Sequence, residues 1–521
     1  MAVPDSVRRV VRPLNTVVVD TGNDGPKRYA VRERSFVKYI AGKNPQPHNG
    51  KTIGYISDGV FVPRVAKTAK QGAECLSYGA SALVYSLTRD LYSDLLNIYP
   101  IEDAVRLMVL STLKVLKPHL PNSRMRAEYE RTFVSVFYPG AKISENTITK
   151  FLNAVGMDGQ KRRAFYRMRI LSMTADHHIA IDGSLIQDTS IVNDLSAFSR
   201  KARVKGCKDI SLLYAYDIEK GEPICADLFP GNSIDATSYR EFITRNEIDR
   251  GIIVADKGFP PKEIYDVLKS KPQLHYLTPL KRNDKRIEQF KMHRHEGVLE
   301  GYGKPVSYKK CALPNGRFLY AFQDTKKAGI EHTTYVTNAA KKGTFDQADY
   351  EQRKSSFGTI VFESDQDLPA KTIYMCYEDR WKLELVFRHY KNDTGFDTTN
   401  VQGDFAVMGE TFVNLLSSIA TCRILERLRQ TNLLKEMTYG DLMDDLSSAW
   451  RNVNASENPQ RDDGGWIHTL KCVHEELEAL GLSKPPVEYD LTREKKKPGP
   501  KPKKPVFVGP KRPRGRPRKN V

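Results

Sequence analysis

Long apolar runs are absent from this sequence, and none of its hydrophobic stretches approaches the ~18 residues that a membrane-spanning helix needs. The opening residues, MAVPDSVRRVVRP, also lack the apolar segment of a secretory signal. The chain is therefore expected in the cytoplasm, with no membrane partner. Its seven cysteines, Cys75, Cys207, Cys225, Cys311, Cys376, Cys422 and Cys472, stand far apart and form no paired motif. That spacing argues against a disulfide framework or a zinc cluster, and for reduced thiols. Tryptophan is scarce: there are only Trp381, Trp450 and Trp466, and none lies between 285 and 370. Acidic residues all but vanish at the end of the chain, where Leu491 to Val521 hold one Glu against thirteen Lys and Arg.

What remains is ordinary for a soluble globular protein. The 521 residues are 40% hydrophobic and 28% charged, enough for roughly two to four domains with cores of their own. Of the net charge of +19, +12 sits in the last 31 residues and +7 in the first 490. That tail is rich in proline and poor in large apolar side chains, so it cannot bury a core and is expected to be disordered on its own. A polyanion is its natural partner.

Residues 1–65 hold a β-like segment, KTIGYISDGVFVPR, with apolar residues at alternate positions around an Asp58-Gly59 turn. Residues 66–170 read as helical, with apolar side chains at three- and four-residue spacing. Within them AKISENTITKFLNAVG predicts a helix capped by Ser144 and stopped at Gly156. It could be the second helix of a DNA-reading helix-turn-helix, or one helix of a bundle. From 171 to 284, HHIAIDGS, ISLLYAYD, EPICADLF, GIIVADKG and LHYLTPLK predict strands, and DATSYREFITRN and PKEIYDVLKS predict helices. Three strands, a helix, then strand and helix in alternation describe an α/β sheet with an antiparallel leading edge. Residues 285–370 turn β-like and irregular, as a β-rich insertion within that domain. The second part of the α/β domain follows over 371–435, a C-terminal helical region over 436–490, and the basic tail over 491–521.

Two of the apolar strands stop at an aspartate: IAID at Asp182 before Gly183, and IIVAD at Asp256 with Gly258 just after. In open α/β sheets, sites gather where strands end, although Asp at such a place is also a common turn former. A third carboxylate comes from YEDRWKLELVFRHYK, residues 377–391. As a helix this stretch puts Tyr377, Arg380, Glu384 and Lys391 within about 60° of one another, between apolar shoulders formed by Leu383 and Phe387 and by Trp381 and Leu385. An amphipathic helix turns its charges to water, so an inward face bearing Arg, Glu and Lys needs a reason. Helix geometry leaves two. One is a buried salt-bridge network among Arg380, Glu384 and an aspartate elsewhere. The other is a site where Asp182, Asp256 and Glu384 converge on cations while Arg380 and Lys391 face phosphate. Converging carboxylates repel unless cations neutralise them, and hard oxygen ligands suit Mg²⁺ or Mn²⁺. A pair of such ions would serve displacement at phosphorus.

The spacing Tyr377-x2-Arg380-x3-Glu384-x6-Lys391 resembles the Y-x2-R-x3-E-x6-K signature of DDE transposases in the insertion-sequence-four family and its relatives. Asp182-Gly183-Ser184 resembles that family's first catalytic motif, with Ser184 where Thr is usual. Asp256-Lys257-Gly258-Phe259 resembles the second, and Gly231-Asn232 with Asp235 resembles the turn between the two acids. The resemblance implies a ribonuclease-H-like core in which Asp182, Asp256 and Glu384 are catalytic and hold two Mg²⁺ (or Mn²⁺) ions. Tyr377, Arg380 and Lys391 would contact phosphates at a transposon end. It further implies cut-and-paste DNA transposition: hydrolysis at the element's ends, then attack of the freed 3′-OH on target DNA, within a synaptic homodimer. Relatives that pass through a DNA hairpin use a Trp in their β-insertion, and the lack of Trp from 285 to 370 argues against that route here. KRPRGRPRK at 511–519 resembles an AT-hook, whose Arg514, Gly515, Arg516 and Pro517 would lie along a narrow A·T-rich minor groove. A generic polybasic tail is the alternative. On this reading the protein is a cytoplasmic, nucleoid-associated enzyme acting on double-stranded DNA. The competing readings are a catalytically silent DNA-binding derivative that acts through its tail, and a nuclease of the same fold without strand transfer.

Overall fold

Alternating apolar residues build the first sixty residues into a sheet. The structure is a computed structural model that describes residues 3–13, 16–23, 25, 27–38, 46–57, 59–63, 75–190, 192–200, 202, 204–233, 235–254, 261–380, 398–399, 401–453 and 467–483. Residues 1–74 and 75–521 form two compact units. In the first, β1 (Thr16–Asp20), β2 (Tyr29–Lys38), β3 (Gln46–Ser57) and β4 (Val60–Pro63) form an antiparallel meander. Val31 and Ile56 are buried in it. Gly59, at φ +75°, sits between β3 and β4 in the left-handed region that a Cβ disfavours.

The second unit opens with β5 (Cys75–Ser77) and a run of helices, then enters a mixed sheet of ten strands. β6 (His178–Asp188), β7 (Lys208–Asp217) and β8 (Glu222–Pro230) are successive antiparallel neighbours. The helix Asp235–Arg245 then leads to β9 (Arg250–Val254), and the helix Pro261–Lys269 leads to β10 (Gln273–Pro279). β9 lies parallel to β6 and β10 parallel to β9. Strands and helices thus fall where period-two and period-3.6 patterns put them.

Residues 285–370 extend this same sheet through β11 (Gly297–Val298), β12 (Val306–Ala312), β13 (Phe318–Asp324) and β14 (Thr359–Ser364). The order across the sheet is β11-β12-β13-β14-β10-β9-β6-β7-β8, with β14 antiparallel to β10. This stretch also holds the helices Thr325–Lys342 and Gln347–Lys354, which its strand-like composition hides. Thr333, Thr334, Val336 and Thr337 favour strands. Strong end signals override them: the Asp324 carboxylate accepts from the N–H of Lys326 (2.8 Å) and Lys327 (3.1 Å), and Gly343 closes the helix at φ +62°.

β15 (Thr398–Thr399) pairs parallel with the far end of β6, Thr398 opposite Gln187 and Thr399 opposite Asp188. β16 (Trp450–Asn452) joins β5 to β17 (Ile467–His468) in a separate three-stranded sheet. Behind the large sheet runs the helix Asp404–Gln430. By length and composition it could cross a membrane, but 83% of its apolar window is buried inside the protein. Phe412, Leu415, Leu416 and Ile419 on it are fully buried, each contributing about 1.5–3 kcal/mol by leaving water. It crosses the helix Glu145–Met157 at two glycines. A Cβ on Gly156 would lie 1.7 Å from the Phe405 carbonyl oxygen, and one on Gly409 would lie 2.0 Å from that of Leu152. Gly156 therefore serves packing within the helix Glu145–Met157, one residue before its end.

Candidate active site

Alternation along β6 puts Ile179 and Ile181 on one face, both fully buried, and His178, Ala180 and Asp182 on the other. The strand does not stop at Asp182, as its apolar run suggests. It continues to Asp188 because β7 goes on pairing with it, with Asp182 opposite Tyr214 and Asp188 opposite Lys208. What changes near Asp182 is the other edge. There β9 pairs with β6 from His178↔Ile252 to Ala180↔Val254. β7 occupies the first edge as far as Asp188, so β15 pairs with Gln187 and Asp188 on the edge that β9 uses. Asp182 thus lies between two neighbours on one edge of β6. Its carboxylate is half-buried, and Oδ1 accepts from the Gly183 N–H at 2.8 Å.

Connectivity gives this interval its interest. β9 leads at Val254 into residues 255–260, which include Asp256, and β15 is entered from residues 381–397, which include Glu384 and Lys391. Asp256 follows Val254 by two residues, as Asp182 follows its partner Ala180. Asp256, Glu384 and Lys391 themselves lie outside the described residues, as do Arg514, Gly515, Arg516 and Pro517 of the tail.

The start of the signature is described. Tyr377 stands in the helix Ala370–Asp379, half-buried, with its ring edge-on to Phe362 at 4.8 Å between centroids. Arg380 follows that helix, its N–H donating to the Cys376 carbonyl at 3.0 Å, and its side chain is buried, only 9% exposed. The Gly231-Asn232 turn has a steric basis. A Cβ on Gly231 would sit 2.0 Å from the Asp209 carbonyl oxygen, so only glycine allows the β8 exit to close against β7.

Two groups at the root of β6 have metal-ligand spacing that the sequence reading misses. The ligand atoms of His178, Glu219 and Cys376 lie within 4.8 Å of one another, and so do those of His177, Asp217 and Glu219. Glu219 takes the His178 backbone N–H at 2.8 Å and faces its Nδ1 at 2.6 Å. Burial works to raise the Glu219 carboxyl, but the His178 contacts outweigh it and hold the group below its ordinary range. Burial first, then the Glu219 charge, push the Cys376 thiol up to about 12. His177 Nδ1 lies 3.2 Å from Asp217. Neither group contains Asp182. The only sequence signal was the His177-His178 pair at a strand start, because its partners are distant along the chain.

Residues 174–419 match the family model described as Transposase DDE domain. The match spans the interval from β6 through the first half of the helix Asp404–Gln430, a little under half of the chain. No curated protein matches the sequence. Among solved structures, the chain is similar to one titled "Cryo-EM structure of piggyBac transposase synaptic complex with hairpin DNA (SNHP)", at 11% identity over 71% of this chain and 79% of that one. Its TM-score of 0.37 carries no argument for the fold.

Proposed function

We propose that this protein is a DNA transposase that cleaves insertion-sequence ends and transfers the freed 3′-OH into target DNA. One observation supports the reading: the edge of β6 at Asp182 lies between β9, which leads into the segment that holds Asp256, and β15, which follows the segment that holds Glu384. The spacing agrees. Cys376 is fixed beside His178. Were the helix Ala370–Asp379 to run on, it would carry the chain about 12 Å from Cys376 to Glu384, against about 13 Å along β6 from His178 to Asp182. β15 meets β6 later, at Gln187, so Thr398 stands further along β6 than Cys376 does.

The strand order supports a ribonuclease-H-like core: β8-β7-β6-β9-β10, with β7 antiparallel to β6 and with β9 and β10 parallel to it. Asp182 fits a cation ligand, as a half-exposed carboxylate on an ordered strand. Asp182, Asp256 and Glu384 would hold two Mg²⁺ or Mn²⁺ ions, all-oxygen donors being suited to them. When bound, such ions activate the attacking oxygen and stabilise the leaving one. The protein's own part is to hold the strand. Tyr377, Arg380 and Lys391 would position the end phosphate, and the basic tail would add sequence-independent affinity and, as an AT-hook, a minor-groove preference. Two protomers would pair the two ends.

The test is incubation of the full chain with supercoiled plasmid carrying the element's ends in Mg²⁺. Joined products support transposition. Nicked products alone would mean a nuclease, and a gel shift without cleavage would mean a DNA-binding derivative.

A further inference from the structure

We propose that His178, Glu219 and Cys376 form a site for one zinc-class divalent cation, separate from the carboxylates of the proposed active site. Their ligand atoms lie within 4.8 Å of one another. His178 is 4% exposed, and its Nε2 is buried with no hydrogen-bond partner. A buried ring nitrogen left unsatisfied is costly, and a cation gives it a partner. Glu219 on Nδ1 orients the ring and leaves Nε2 for the ion. Glu219 is exposed, which gives an entry path from solvent to two otherwise buried ligands.

The donor set decides the metal. Imidazole nitrogen with thiolate sulfur favours Zn²⁺ and its transition-metal neighbours over Mg²⁺ or Ca²⁺. Asp217 suits the role less well, since its carboxylate already takes the Lys220 N–H at 3.0 Å and faces His177. Along β6 the site lies four residues from Asp182, about 13 Å away. The three residues come from β6, the turn after β7, and the helix Ala370–Asp379. One bound ion would therefore tie the start of the Tyr377–Arg380 signature to the strand that carries Asp182. The wide sequence separation of the ligating residues conceals the site, since cysteine spacing alone argued against a zinc cluster.

The experiment is titration of the metal-free full chain with Co²⁺, with zinc content measured separately on protein grown with Zn²⁺. Wild type should show a thiolate-to-cobalt charge-transfer band and hold close to one zinc per chain after gel filtration. Asp182→Asn should keep both. Cys376→Ser should lose the band and at least about tenfold in zinc affinity, and Glu219→Gln should weaken binding by about 10–100-fold. Wild-type protein that shows no thiolate band overturns the proposal and leaves a metal-free His–Glu pair beside a neutral thiol. So does zinc retained equally by Cys376→Ser, since the ion would then sit elsewhere, Cys75, Cys207, Cys311 and Cys472 all being accessible. Where Cys376→Ser fails to fold, Glu219→Gln decides: zinc affinity unchanged there overturns the proposal.

Discussion

Replacing Glu363 by Ala should destabilise the centre of the large sheet by about 3 kcal/mol. Glu363 lies in β14, fully buried, where β13, β14 and β10 meet. Its two oxygens face Arg286 at 2.7 Å, Arg317 at 2.9 Å, the Tyr276 hydroxyl at 3.1 Å and the Tyr265 hydroxyl at 3.4 Å. Removing one partner of a buried pair costs about 3–5 kcal/mol, because the other charge is left uncompensated. Here the cost falls at the low end. The Arg286 and Arg317 side chains are 33% and 29% exposed, so water can reach them, and Arg286 keeps Asp284 at 2.8 Å. Glu363→Gln preserves the volume and part of the bonding, and should cost about half as much. A melting midpoint is a poor readout for a chain with two compact units. Amide exchange is better: the Leu280 N–H donates to the Val361 carbonyl at 2.7 Å across the β10–β14 junction. In Glu363→Ala it should exchange about a hundredfold faster, at 1.4 kcal/mol per factor of ten. Exchange there within threefold of wild type would refute the energetic reading of this network.

Asp182→Asn, Asp256→Asn and Glu384→Gln should each abolish end cleavage while changing DNA affinity less than about threefold, since affinity comes mainly from phosphate contacts; near-normal cleavage by any one removes that residue from the site. Gly156→Ala and Gly409→Ala should each lower stability by about 1–3 kcal/mol or more, because the obstructing atoms are backbone carbonyls that cannot rotate away; wild-type denaturation profiles would contradict the close helix crossing. Burial raises the Glu222 carboxyl, but Arg423 and Arg169 outweigh it and hold the group below its ordinary range. A depressed folded value means stability present above the unfolded carboxylate pKa and lost as pH falls through the folded one, so acidification below about pH 4 should loosen the contact by which Glu222 ties β8 to Arg423 of the helix Asp404–Gln430, and Glu222→Gln should flatten that dependence. Deleting 491–521 should leave cleavage chemistry in place and make the slope of log affinity against log salt shallower by about 6, if half the tail's thirteen basic residues engage DNA. Arg514→Ala and Arg516→Ala should each erase any A·T preference with a slope change of about 1, and a tail without that preference is merely polybasic.

The strands of the large sheet were legible because burial on both faces leaves continuous apolar runs such as ISLLYAYD and GIIVADKG. Their ends were not. Asp182 interrupts the apolar run of β6, yet the strand continues, because the ladder to β7 is made by backbone groups that do not register side-chain polarity. The helix Thr325–Lys342 was hidden for the opposite reason: its interior is β-branched, and its caps, Asp324 and Gly343, are single residues within a polar stretch. Glu363 illustrates a third limit. A buried carboxylate looks like any exposed one until Arg286 and Arg317, 77 and 46 residues away in sequence, are brought to it by the fold. The acids of the candidate active site were named from motif spacing; of the three only Asp182 lies among the described residues, on β6 between its pairings with β9 and β15.

On the proposed reading one strand carries two kinds of ligand chemistry, and their spacing along β6 keeps them apart. His178, Ala180 and Asp182 share a face, with a nitrogen donor at the root and an oxygen donor about 13 Å along. Sulfur and nitrogen select a metal that a carboxylate cluster binds less selectively, so a zinc-class ion at the root and Mg²⁺ near Asp182 need not compete. Cys376 and Arg380 stand four residues apart in sequence, so an ion held at Cys376 would set the angle at which the signature segment leaves the root of β6. This makes a separable claim. If the root ion positions the signature, Cys376→Ser should reduce cleavage while leaving the Mg²⁺ concentration for half-maximal activity unchanged. A shift in that concentration instead would mean that both groups of ligands serve a single metal centre.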